Sequence, residues 1–130
     1  MATWSELAGY VRSNYKIADE KPSMIQMIFE TGNLRSQVVF LWRQALMNGD
    51  EEWLQIESPI AELGSVNLQK LLEEVGDVVC GGAAVTSGHV TIRHAVPLAN
   101  LNINEFERPL TLVTATADDL EHKLVGTDRY

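Results

Sequence analysis

Near the end of the chain, Asp118-Asp-Leu-Glu-His-Lys-Leu124 packs three carboxylates and an imidazole into seven residues. Such groups do acid–base chemistry or hold a metal. Asp118 and His122 are four apart, so on a helix they share a face and can reach one ion. Zinc takes three or four ligands, and this pair supplies two. The other histidines, His89 and His94, are five apart on a segment that reads as a strand, so their side chains leave opposite faces. His94 shares the face of Ile92 and Val96, which suits a hydrogen-bonded structural histidine. The plainer expectation for the acidic stretch is a hydrated helix surface: Asp119, Glu121, His122 and Lys123 flank Leu120 and Leu124 on a buried stripe.

Nucleophilic and phosphate-binding patterns are weak. Cys80 lies in Val-Val-Cys-Gly-Gly, apolar company that raises a thiol pKa, and no serine has nucleophile-elbow spacing. Gly81-Gly82 lacks the Lys-Ser/Thr of a phosphate loop and the third glycine of a dinucleotide fingerprint, and reads as a bulge or close backbone approach.

The aromatic residues carry the stronger signal. Trp53 alternates with Gln55 and Glu57, on the wetter side of a strand whose other side holds Leu54 and Ile56. A two- or four-residue connection around Asn48-Gly49 pairs odd positions here with even positions opposite, placing Phe40 and Trp42 on Trp53's face. Two readings stay open for Phe40, Trp42 and Trp53: a partner-binding surface, or a core face under a helix.

These residues sit within a legible order of elements. Thr3 with Glu6 makes a capping-box pattern before Trp4, Leu7, Ala8, Val11 and Tyr15 at helical spacing. Asp19-Glu-Lys-Pro22 reads as a break. Strands are expected over Met24–Glu30, Ser36–Leu46 and Glu52–Ser58, the second apolar on both sides and so covered twice or facing a partner. A short helix follows, capped by Ser65 or Asn67, with Leu68, Leu71, Leu72 and Val75 as its stripe and Gly76 in a left-handed position past its end. Val78–Val85 and the segment through Val90 and Leu98 read as two more strands. Phe106, Leu110, Val113, Ala117, Leu120 and Leu124 then keep one helix face on a core, with Pro109 expected in or near the first turn or at a kink. The pattern predicts an α+β fold of order α-β-β-β-α-β-β-α: an antiparallel sheet of about five strands, helices on one face, in a single domain over 1–130.

Composition narrows the partners. Ten Lys+Arg against 18 Asp+Glu give a net charge of −8, which opposes nucleic acid and anionic membranes. One cysteine permits no internal disulfide, and no segment is long and apolar enough to span a bilayer, so a cytoplasmic protein is expected.

Leu54-Gln-Ile-Glu-Ser-Pro-Ile60, Asn67-Leu-Gln-Lys-Leu-Leu72, His89-Val-Thr-Ile-Arg-His-Ala-Val-Pro-Leu98 and Ala117-Asp-Asp-Leu-Glu121 together resemble the type III secretion chaperone-like family. Within it the likeness is to YbjN-type proteins, described as bacterial sensory transduction regulators, and it runs through nearly the whole chain in element order. The resemblance implies helices against an antiparallel sheet, commonly a dimer, with no catalytic centre; a homodimer without cofactor or metal is expected. It also implies capture of a protein or peptide by apolar patches and sheet edges. The expectation is a non-enzymatic protein-binding module. The competing class is a small metal-dependent or acid–base enzyme using His89, His94 or His122 with nearby carboxylates.

Overall fold

The computed structural model describes residues 1–125; residues 126–130, the end of the expected domain, lie outside the described residues. Its elements are α1 (Trp4–Asn14), β1 (Ile17–Lys21), β2 (Met24–Gly32), β3 (Arg35–Leu46), β4 (Glu51–Glu62), α2 (Leu68–Val75), β5 (Gly82–Thr86), β6 (His89–Pro97) and α3 (Ile103–Leu124). The strands form one antiparallel sheet in the order β1-β2-β3-β4-β6-β5. The α+β architecture is as expected, with one strand more.

The added strand is β1, where Asp19-Glu-Lys reads as a break. Among the described residues it is an edge strand paired only with β2, so its side chains stay largely exposed and their charges hinder pairing with another chain. The strand expected from Val78 begins instead at Gly82, and Val79 is 99% exposed ahead of it. Gly81 explains the late start. Its φ of +102° is glycine territory, and a Cβ there would meet Ile92 Cγ2 at 3.1 Å, so the chain crosses close over β6 before pairing with it.

The three helices share one face of the sheet. Ile25, Met27, Val39, Leu41, Leu54, Ile56, Val90 and Ile92 point into a core closed by Leu7 and Val11 of α1, Leu71 of α2 and the α3 stripe of Phe106, Leu110, Val113, Ala117 and Leu120. Each helix begins on a side-chain cap. Thr3 Oγ1 accepts from Glu6 N at 3.2 Å, Asn67 Oδ1 from Lys70 N at 3.0 Å, and Asn102 Oδ1 from Glu105 N at 2.9 Å. Asn102 and Glu105 complete a reciprocal capping box.

Three local expectations change. Of the α2 stripe only Leu71 is buried, while Leu72 is 61% exposed, because this short helix stands at the β5 edge and touches the core along one line. Gly76 ends α2 in the right-handed region at φ −58°, its N–H donating to Leu72 O. Pro109 lies in the second turn of a helix that continues through it, and there it can offer no N–H to Glu105 O.

At the other side of the core, the Tyr10 and Tyr15 hydroxyls both donate to Glu107 Oε2, and Tyr15 packs edge-on against Phe29 and Phe106. Burial first, then the Glu107 carboxylate, push the Tyr15 phenol well above its ordinary value. A pKa raised on folding stabilises the fold below the unfolded value, about 10, and that stabilisation fades as pH rises beyond it. Alkaline titration by circular dichroism should therefore show stability falling above about pH 10, and Tyr15→Phe should flatten that fall. An unchanged pH dependence in the variant would contradict the assignment.

Candidate functional site

Among the described residues every helix lies on one face of the antiparallel sheet and leaves the other face open, and that face is not polar. The β3–β4 connection decides which residues it carries. Leu46 pairs with Glu51 across a four-residue connection in which Met47, Asn48 and Gly49 all have positive φ. The register then sets Trp42 opposite Gln55, Phe40 opposite Glu57 and Gln44 opposite Trp53, so the three aromatic residues named from the sequence share the face without helices. The core-face alternative for them is set aside. The two-sided apolar character of β3 has the same origin: Val39 and Leu41 are covered, while Val38, Phe40 and Trp42 look outward and stay half-buried.

Phe40 and Trp42 come together and Trp53 stands apart. The first two rings stack at a centroid separation of 5.8 Å and an interplanar angle of 23°. Trp53 lies further along the face, opposite Pro97, in a separate hollow shared with Ala2, Thr3 and Ala99. Its indole N–H is buried without a hydrogen-bond partner.

Beside the stacked rings is a cleft of about 370 Å³, walled by Val38, Phe40 and Trp42, with Pro59, Thr91 and Glu57 at its floor. Glu57, expected on the wetter side of its strand, is only 6% exposed. Its carboxylate is held from three directions. Trp42 Nε1 donates to Oε1 at 3.2 Å, Thr91 Oγ1 donates to Oε2 at 3.4 Å, and Arg93 Nε lies 3.2 Å from Oε2 without the alignment of a hydrogen bond. Pro59 can donate nothing to a ladder, and the β4–β6 register shifts between Pro59 and Ala61. The buried Gln37 amide compensates there, donating to Ser58 Oγ and to Pro59 O, both at 2.8 Å. The sequence singled out Phe40 and Trp42 but not Glu57, Thr91 or Arg93. Their meeting depends on the pairing of β4 with β6 across an intervening helix and strand, for which no local turn supplies a register.

The acidic stretch near the end of the chain is a hydrated helix flank at Asp119, His122 and Lys123, as expected, but not at Asp118 and Glu121. Asp118 Oδ1 accepts from Arg35 Nε at 3.1 Å, and Arg35 Nη2 lies 3.6 Å from Glu121 Oε1. Glu121 is fully buried, not part of a hydrated flank, because it follows Ala117 by one helical turn and so shares the inward face of α3. His122 and Lys123 are exposed, and Lys123 pairs with Asp119 and Glu74. The stretch is an ion-pair lock between α3 and the start of β3.

The histidines of the enzyme alternative are dispersed. His94 lies opposite Ile56 on the covered side, His89 sits at the rim of the open-face cleft near Ser87 O, and His122 is on the outer surface of α3. Among the described residues, no three histidine, cysteine, aspartate or glutamate side chains gather as a metal site. Cys80 is a free, buried thiol whose pKa burial raises. No family model matches the chain, and no curated protein is significantly similar to it.

Proposed function

We propose that the chain is a non-enzymatic, cytoplasmic protein-binding module that captures a protein or peptide through the open sheet face around Phe40, Trp42 and Trp53. One observation carries the reading: the face without helices bears a stacked Phe40–Trp42 pair where a solvated sheet face alternates to polar residues. Tryptophan at the centre of such a face is the residue type that dominates binding energies. The resemblance to secretion chaperone-like proteins agrees with it, since clients there are held by apolar patches and sheet edges.

The experiment is capture from the native cell by wild type and by Trp42→Asp, with melting curves of both. Loss of the captured partner at a nearly unchanged midpoint supports the proposal. Equal capture by the two proteins would end it. Trp53→Ala extends the test to the far end of the face.

Self-association is a second reading, favoured by the difference between the two sheet edges. The β1 edge carries Asp19, Glu20 and Lys21; β5, Gly82-Ala-Ala-Val-Thr86, carries no charge, exposes Val85 and lies beside the exposed Leu68 and Leu72 of α2. Antiparallel addition of a second copy along β5 would join two sheets and bring the two α2 helices together. Under this reading wild type sediments as a dimer and Val85→Lys as a monomer. A monomeric wild type at high concentration would remove the homodimer.

A further inference from the structure

We infer that the cleft beside Phe40 and Trp42 seats one basic side chain, arginine above all, of a bound protein segment; the inference rests on the partner-binding reading of this face. The lining supplies the chemistry. Among the described residues, Glu57 is the one carboxylate in it, and neither lysine nor arginine lines it. Arg93 approaches Glu57 from outside the cleft and is not aligned to hydrogen-bond it. A carboxylate has about four acceptor positions, and the donors already present, Trp42 at 3.2 Å and Thr91 at 3.4 Å, are long for such bonds. An incoming cation therefore meets a carboxylate with acceptor capacity left.

The walls add a second attraction. Ring faces of tryptophan and phenylalanine are negative, and a cation within about 6 Å of a ring centroid is drawn to them, more strongly where water is excluded. A planar guanidinium can stack on the indole while its edge donates to Glu57, a combination that an ammonium cannot reproduce. The overall charge of −8 steers cations toward the molecule and anions away. A basic segment laid along the open face thus gains apolar contact with Val38 and Phe40 and one anchoring charge at Glu57.

The test follows the Trp42 indole N–H resonance in ¹⁵N-labelled protein, which reports directly on the group bonded to Glu57. The probes are acetyl-arginine methylamide, its neutral isostere acetyl-citrulline methylamide, and a capped valine–serine peptide with one central arginine. Arginine should give a saturable shift, citrulline should bind roughly tenfold or more weakly, and the peptide should bind more tightly than the single amino acid. Glu57→Gln should erase the preference for arginine. Arg93→Gln, which removes the competing internal cation, should tighten the arginine probe severalfold, an opposite sign that mere damage to the fold would not produce. A citrulline probe equal to arginine, a preference that survives Glu57→Gln, or no saturable shift would overturn the inference. Peptide binding no tighter than the single amino acid would do so as well, in favour of a small free cation. The two readings fail separately: capture lost in Trp42→Asp but untouched in Glu57→Gln sinks only the basic anchor, whereas capture untouched in Trp42→Asp sinks the partner surface itself.

Discussion

Arg35→Met is expected to destabilise the fold by about 3–5 kcal/mol, the loss typical of removing one partner from a buried ion pair. Arg35 reaches Asp118 at 3.1 Å and Glu121 at 3.6 Å, and Glu121 has no exposed side-chain surface. Without the guanidinium, the buried Glu121 carboxylate loses a cation at 3.6 Å inside the α3–sheet interface. The cost comes from leaving that desolvated charge with less compensation, more than from the lost attraction itself. Hence the double variant Arg35→Met/Glu121→Met should recover most of the loss, since an apolar pair of similar volume needs no compensation. Urea unfolding of the wild type, the single and the double variants measures both steps. A single variant within about 1 kcal/mol of wild type would mean that the pair behaves like a surface bridge.

This lock also shows where the sequence is legible and where it is not. The helical stripe from Phe106 to Leu120 is readable because its periodicity is local, and the caps at Thr3 and Asn67 are readable for the same reason. The β3–β4 register is readable because a short turn fixes it, and that register is what places Phe40, Trp42 and Trp53 together on one face. Glu121 is misread because charge in a sequence signals solvent, whereas Arg35, 86 positions earlier by the numbering, lies 3.6 Å from its buried carboxylate and helps make that burial tolerable. β1 is misread for the converse reason: an edge strand uses charges that elsewhere mark a loop. The Glu57 site needs β6 to lie beside β4, a long-range pairing that no local pattern specifies.

The separation of the two sheet faces gives the sharpest test of what the open face is for, because phenylalanine occurs on both. Phe106→Ala should cost about 3–5 kcal/mol: the ring is fully buried under α3, edge-on to Tyr10 and Tyr15, and its removal leaves a cavity that the rigid sheet cannot close. Phe40→Ala removes the same atoms from a half-buried ring stacked on Trp42, where water can fill the space, and should cost no more than about 1.5 kcal/mol. Chemical denaturation of the two variants side by side, with m-values compared to confirm a common unfolded state, reads the difference. If Phe40 proved as costly as Phe106, the open face would be a second core and its aromatic residues would be accounted for by folding alone. If the expected gap is found, the stacked pair contributes little that the fold requires, and the free energy of covering Phe40 and Trp42 is left for a partner to gain.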